Sequence, residues 1–237
     1  MKYSAAIFLF LLIVSCAEKK HEKNLQITGN IEGLKEGTLY IRKLQDTMLV
    51  LLDSISISGN SSFESSFDID SPEMLYLFLD RGVTKTTDNH LMFFAEQGQI
   101  NISTDLKTFY ATAKITGSKN HDLYEEYKKV NSRFNNQELD LTEAKLLAYQ
   151  HKTPFSEEEN QKKMDVIMKK KYLYAINFAV NNKDHEIAPY IALSEINDTD
   201  IKYLDTIHKS LSPKVLQSKY GKMLTTFITE RKKLEQQ

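Results

Sequence analysis

The stretch EMLYLFL, Glu73–Leu79, decides how this chain is read. Side chains alternate between the two faces of a strand, yet here both faces are apolar from Met74 to Leu79. A strand of that kind is central in its sheet and has both of its sides covered. The segments around it obey the same period. Leu25–Glu32 sets Leu25 and Ile27 on one face before Gly33 and Gly37, and Thr38–Leu44 alternates Leu39 and Ile41 against Tyr40 and Arg42. Met48–Ile57 opens as a continuous apolar run and then alternates as far as Gly59-Asn60, a turn signal. Ser62–Ile69, His90–Phe94, Gln99–Ser103 and Phe109–Thr116 complete the series, with Glu96-Gln97-Gly98 as a tight connection. Seven to eight short strands without helical stretches between them predict an antiparallel β-sandwich or barrel over residues 25–117. Arg81–Asn89 is its most polar loop.

After Gly117 the period changes. Ser118 is placed to cap a helix, and Leu123, Tyr127, Val130 and Phe134 follow at helical spacing, with Leu141–Tyr149 also helix-compatible. Pro154 interrupts, and Ser156-Glu157-Glu158-Glu159 reads as a capping box opening a helix to about Asn181. Its stripe is Met164, Ile167, Met168, Lys171, Ala175, Phe178 and Ala179. Ile187–Ile196 is short and strongly apolar, and Asp200–Leu211 and Pro213–Leu234 close the set. About five helices after a run of strands give a segregated α+β chain with a helical part over residues 118–237.

The only cysteine, Cys16, lies between an apolar run, Ala5–Val14, and a charged one. Ten apolar residues fall short of the roughly 20 that span a bilayer, but suit a secretory leader over residues 1–15. Ile13-Val14-Ser15-Cys16 resembles the lipobox of bacterial lipoproteins. The resemblance implies cleavage between Ser15 and Cys16, a diacylglyceryl group on the Cys16 sulfur, and an acyl chain such as palmitate on the new amino terminus. Two or more chains, at about 0.8 kcal/mol per buried methylene, hold a protein stably on a membrane. Residues 16–24 then form the lipidated tether of a cell-envelope protein. Ala17, in place of an acidic residue, favours the outer membrane under enterobacterial sorting rules, with the periplasmic or surface side left open.

One thiol permits no internal disulfide and no dithiol redox motif. A net charge of −1 gives no electrostatic footprint for nucleic acid. The six histidines, His21, His90, His121, His151, His185 and His208, have no metal-site spacing, so no metal and no cofactor are expected. No nucleophile elbow or phosphate-binding loop is present. Carboxylate pairs such as Asp68/Asp70 and Glu125/Glu126 carry no acid–base assignment without a geometry. Asp46-Thr47-Met48, Asp53-Ser54-Ile55 and Asp205-Thr206-Ile207 resemble the O-glycosylation acceptor of exported Bacteroidota proteins, which implies Thr47, Ser54 and Thr206 as candidate glycan sites.

The stretches LQITGNIEGLKEGTLYI, FFAEQGQINISTD, KITGSKNHDLYEEYKK, NNKDHEIAPYIALSEI and LSPKVLQSKYGKML, spread over residues 25–224, resemble a further family. It is the N-terminal domain of unknown function of Bacteroidota envelope lipoproteins, a β-sandwich and helical segment that precede a thioredoxin-like domain. This chain stops at Gln237 without the cysteine pair of that redox domain, so the resemblance implies an accessory half standing alone. The expected function is a lipid-anchored, non-catalytic envelope protein that binds a partner or a small ligand of unknown identity. The alternative is a docking or regulatory subunit for a separate thioredoxin-like thiol–disulfide protein.

Overall fold

The computed structural model describes residues 23–82 and 90–235. The leader, Ser15 and Cys16, and most of the polar loop Arg81–Asn89, lie outside them. Eight strands come first: β1 (Leu25–Glu32), β2 (Glu36–Gln45), β3 (Met48–Ser58), β4 (Ser62–Phe67), β5 (Glu73–Asp80), β6 (His90–Ala95), β7 (Gly98–Asp105) and β8 (Lys114–Thr116). They form two four-stranded sheets, ordered β4-β1-β7-β8 and β3-β2-β5-β6, packed as an open sandwich with no closed barrel. Leu25, Ile27, Ile31, Ile100 and Ile102 meet Leu39, Ile41, Leu75, Leu77 and Phe93 between them, all at most 1% exposed.

Two details depart from the reading above. β1 and β7 pair in parallel, Leu25 beside Gly98 and Glu32 beside Asp105, within a sandwich whose other pairs are antiparallel. A parallel pair needs a long crossover. Here the crossover is the whole second sheet, so Glu96-Gln97-Gly98 is a corner between sheets and not a hairpin turn. The second detail is Phe109–Thr116, of which only Lys114–Thr116 is strand. Thr104 Oγ1 donates to the Phe109 carbonyl (2.7 Å), Asp105 Oδ1 accepts from Lys107 N (2.7 Å), and Thr112 N reaches the Thr108 carbonyl (3.0 Å). Short polar side chains that bond the local backbone favour turns over ladders, and buried Phe109 pins this one.

Among the described residues six helices follow: α1 (Lys119–His151), α2 (Glu157–Asn181), α3 (Ile187–Glu195), α4 (Ile201–Ser210), α5 (Pro213–Leu216) and α6 (Lys219–Glu235). Ser118 Oγ accepts from His121 N and Ser156 Oγ from Glu159 N, so both serine caps act as read. Gly117 stands at φ 95°, where a Cβ would lie 2.0 Å from the Gln99 carbonyl oxygen. Only glycine lets the chain turn that tightly into α1. The two stretches read separately before Pro154 are one helix of 33 residues. On α2, Ile167, Ala175, Ile176, Phe178 and Ala179 are buried, whereas Met168 at the same end as Met164 is exposed. Pro213–Leu234 breaks at Gln217-Ser218, and Gly221 lets α6 pass against the Val215 carbonyl.

The helices lie on the outer face of β5 and β6, which makes the second sheet a middle layer. Met74 and Phe94 belong to the helical core, together with Leu123, Tyr127, Ala188, Ile191, Leu204 and Leu224. Phe94 meets Tyr190 (5.6 Å, 85°) and Tyr220 (5.9 Å, 63°) edge-on, the arrangement aromatic quadrupoles favour. Further along the same face, Phe78 lies beyond the helices, stacked on exposed His90 with Arg42 over its ring. Phe94→Ala is therefore expected to cost about 3–5 kcal/mol in urea unfolding and Phe78→Ala about 1 kcal/mol. Equal losses would contradict the middle-layer role of β6.

Candidate functional site

Two clefts flank α1. The first lies at its N-terminus, where sandwich and helices join. Glu96, at the corner after β6, accepts from Lys119 N with one oxygen and from Asn120 Nδ2 with the other (2.7 Å). The same Nδ2 donates to Glu186 Oε2 (3.0 Å), and Asn120 Oδ1 accepts from Ile187 N (2.8 Å) at the start of α3. Asn120 and Glu186 are almost fully buried. The first N–H groups of a helix have no partner within it, so a carboxylate there complements both the donors and the dipole. Glu96 thus caps α1, while Glu186 is held by Asn120 with the Lys214 ammonium 3.9 Å away. The cleft they border holds about 550 Å³ and also takes in Asp70, Asp184 and His185.

The second cleft, about 470 Å³, runs between α1 and the turn before β8. Its floor is apolar, with Leu91 and Met92 of β6 and Ala113 and Ile115 beside β8. Its rim carries Lys128, Lys129, Ser132 and Asn135, faced by Tyr110, which is 54% exposed. Asn131 lines it and is 8% exposed. Its Nδ2 donates to Glu195 Oε2 (3.3 Å), which fixes the amide's orientation, and its Oδ1 has no hydrogen-bond partner among the described residues. Leaving a buried acceptor unsatisfied costs about 1–3 kcal/mol, and this oxygen is covered by its surroundings and not open to the cleft. An apolar floor and a polar rim, where Lys129 stands beside the Lys128–Glu125 ion pair, suit an amphipathic ligand or an extended peptide edge.

His121 stands between the clefts. Its Nδ1 accepts from Phe94 N (3.3 Å), an outward-facing amide of edge strand β6, and Nε2 approaches Glu125 (3.4 Å). Burial lowers its pKa below 6.5, opposed by Glu125 and, less strongly, Asp122, and reinforced by Lys128. Tyr190 is pushed up to about 12, chiefly by burial.

The sequence-read sites are scattered in this frame. Thr47 is exposed at the β2–β3 turn, Ser54 is exposed on β3, and Thr206 is exposed on α4, where its hydroxyl bonds the Lys202 carbonyl. Their aspartates differ: Asp53 accepts from Ser65, and Asp205 pairs with Lys232. Asp68 binds Lys23, and Glu125 pairs with Lys128. Among the described residues no group of His, Cys, Asp and Glu is arranged to hold a metal ion, and no helix is long and apolar enough to cross a membrane. Asn120, Glu186, Asn131 and Glu195 were invisible to sequence reading, because nothing local distinguishes them from surface polar residues.

Residues 25–124, the sandwich and the first turns of α1, match the family model described as a domain of unknown function, DUF4369. No curated protein and no solved structure matches the chain.

The His121 contact sets a pH dependence. The unfolded chain takes up a proton near pH 6.5 and the folded one only at lower pH. This stability is complete above that value and is lost as pH falls towards the depressed folded pKa. The melting temperature should drop between about pH 7 and pH 5.5, and His121→Gln, which keeps an acceptor, should remove that part of the slope. An unchanged slope in the variant would contradict the contact.

Proposed function

We propose that this chain is a lipid-anchored, non-catalytic envelope protein of Bacteroidota whose body binds a partner or ligand in the cleft along α1. The observation that carries the binding half is the cleft of about 470 Å³ between α1 and the turn before β8, lined by Leu91, Met92, Ala113 and Ile115 and bordered by Lys129 and Ser132. The anchoring half rests on Ile13-Val14-Ser15-Cys16, with lipid on the Cys16 sulfur and the outer membrane as the expected site. The domain match over 25–124 covers the sandwich half of the resemblance to lipoproteins with a thioredoxin-like domain, and supports reading this part as their accessory domain. Glu96 is engaged as the cap of α1 and Glu186 with Asn120, which favours binding over acid–base chemistry.

Two measurements test the two halves. Intact mass of the native protein should show a chain beginning at Cys16 with acyl groups attached, and Cys16→Ser should leave the membrane fraction. An unmodified, uncleaved mass overturns the anchor. The same spectrum reads any hexose ladder on Thr47, Ser54 or Thr206. For the cleft, a photoreactive side chain at Ser132 should yield a discrete adduct in native envelope, while one at Ser56, exposed on β3, should not. Equal labelling from both positions would sink the cleft as the binding site.

A further inference from the structure

We propose that the tip of the β2–β3 hairpin is a second membrane contact, seated in the interfacial layer of a phospholipid bilayer with anionic headgroups. This rests on the anchoring reading, which supplies the membrane. β2 pairs with β5 only from Thr38 to Lys43; beyond that, Leu44 and Gln45 pair solely with Leu49 and Met48, so the hairpin overhangs its sheet. The register slips between Ile41 and Arg42, leaving Leu52 as the extra residue of a bulge, a device that bends a strand away from its partner. Past the bulge the alternation fails: Met48, Leu49, Val50 and Leu51 are all exposed, Met48 by 70%, and so is Leu44.

A water-exposed edge strand that is apolar on both faces invites aggregation, and proteins rarely leave one bare. A protein partner docked on one face would leave the other in water, whereas the bilayer interface covers both. Placement and charge point the same way. Leu25 lies beside Phe67 and Gly98, and Asn24 binds the Ile69 backbone, so the described chain begins at the end where β5 starts and β2 finishes. Eight residues, 17–24, reach at most about 26–29 Å, so an acylated Cys16 keeps this end towards the lipid. Lys43, Lys219 and Lys222 border a cleft of about 410 Å³ beside the overhang, with Asp70 and Glu73. Lys219 is held by Glu73 and the Leu44 carbonyl, while Lys43 and Lys222 have no ion pair among the described residues. Asp46 sits at the turn itself. A glycan on neighbouring Thr47 and insertion of the tip exclude each other.

The test uses the full acylated chain in vesicles of phosphatidylethanolamine and phosphatidylglycerol. Val50→Cys and, as control, Ser56→Cys each place one thiol on an exposed position of β3, labelled with an environment-sensitive fluorophore. The Val50 probe should shift to the blue, lose most of its emission to a lipid-borne nitroxide and ignore aqueous iodide; the Ser56 probe should do the reverse. Adding Leu49→Asp should abolish the lipid quenching. A Val50 probe open to iodide overturns the proposal, and one closed to both quenchers means that a second copy covers the hairpin, which overturns it equally. The unsubstituted chain reports the anchor separately: uptake of label shows a free Cys16 and overturns the anchoring reading along with this one. Refusal of label with an iodide-open Val50 overturns this one alone.

Discussion

Phe94 is the side chain on which the two halves of this protein meet. It leaves β6 on the face opposite the sandwich core and inserts between Tyr190 and Tyr220. Beside it, the Tyr220 hydroxyl accepts a hydrogen bond from Met74 N (2.9 Å), tying α6 to the start of β5. β5 is apolar on both sides, so neither sheet nor helices can bury their share without it. The sandwich covers Leu75, Leu77 and Leu79, and the helices cover Met74 and Tyr76. β5, with its neighbour β6, therefore carries the contacts of both cores.

Everything polar at this junction follows from that packing. Helices laid end-on against a sheet corner bring their unpaired N–H groups into a dry place, where each needs an acceptor. Glu96 and Asn120 meet the need at α1 and α3, and the Ser71 and Ser218 hydroxyls do so at α6 by accepting from Lys219 N and Gly221 N. The edge of β6 is closed in the same way by the His121 imidazole. Among the described residues one buried acceptor, Asn131 Oδ1, is left without a donor, behind the cleft that the α1 contact creates.

Much of the frame was legible in the sequence, because period and punctuation are local properties. The two-sided apolarity of Glu73–Leu79 announced a central strand, and Ser118 and Ser156 announced their helices. What covers the second face of β5 was not legible, since it depends on contacts across more than a hundred positions, such as Met74 with Tyr220. The parallel β1–β7 pair was hidden for the same reason, and the turn at Phe109 because β-compatible residues there bond their own backbone. Asn120 reads as an ordinary polar residue until Glu186, 66 positions away, is beside it. Met48–Leu51 posed the opposite difficulty, for an apolar run in a strand looks buried whether or not anything covers it.

The most direct measurement of this three-layer arrangement is native-state hydrogen exchange at Leu77 in β5 and Ile191 in α3. If β5 is the shared strand of both cores, the two amides open with the same free energy and shift together with urea. Exchange at Ile191 through a cheaper opening, with Leu77 still protected, would show the helices to be a separate layer resting on a self-sufficient sandwich.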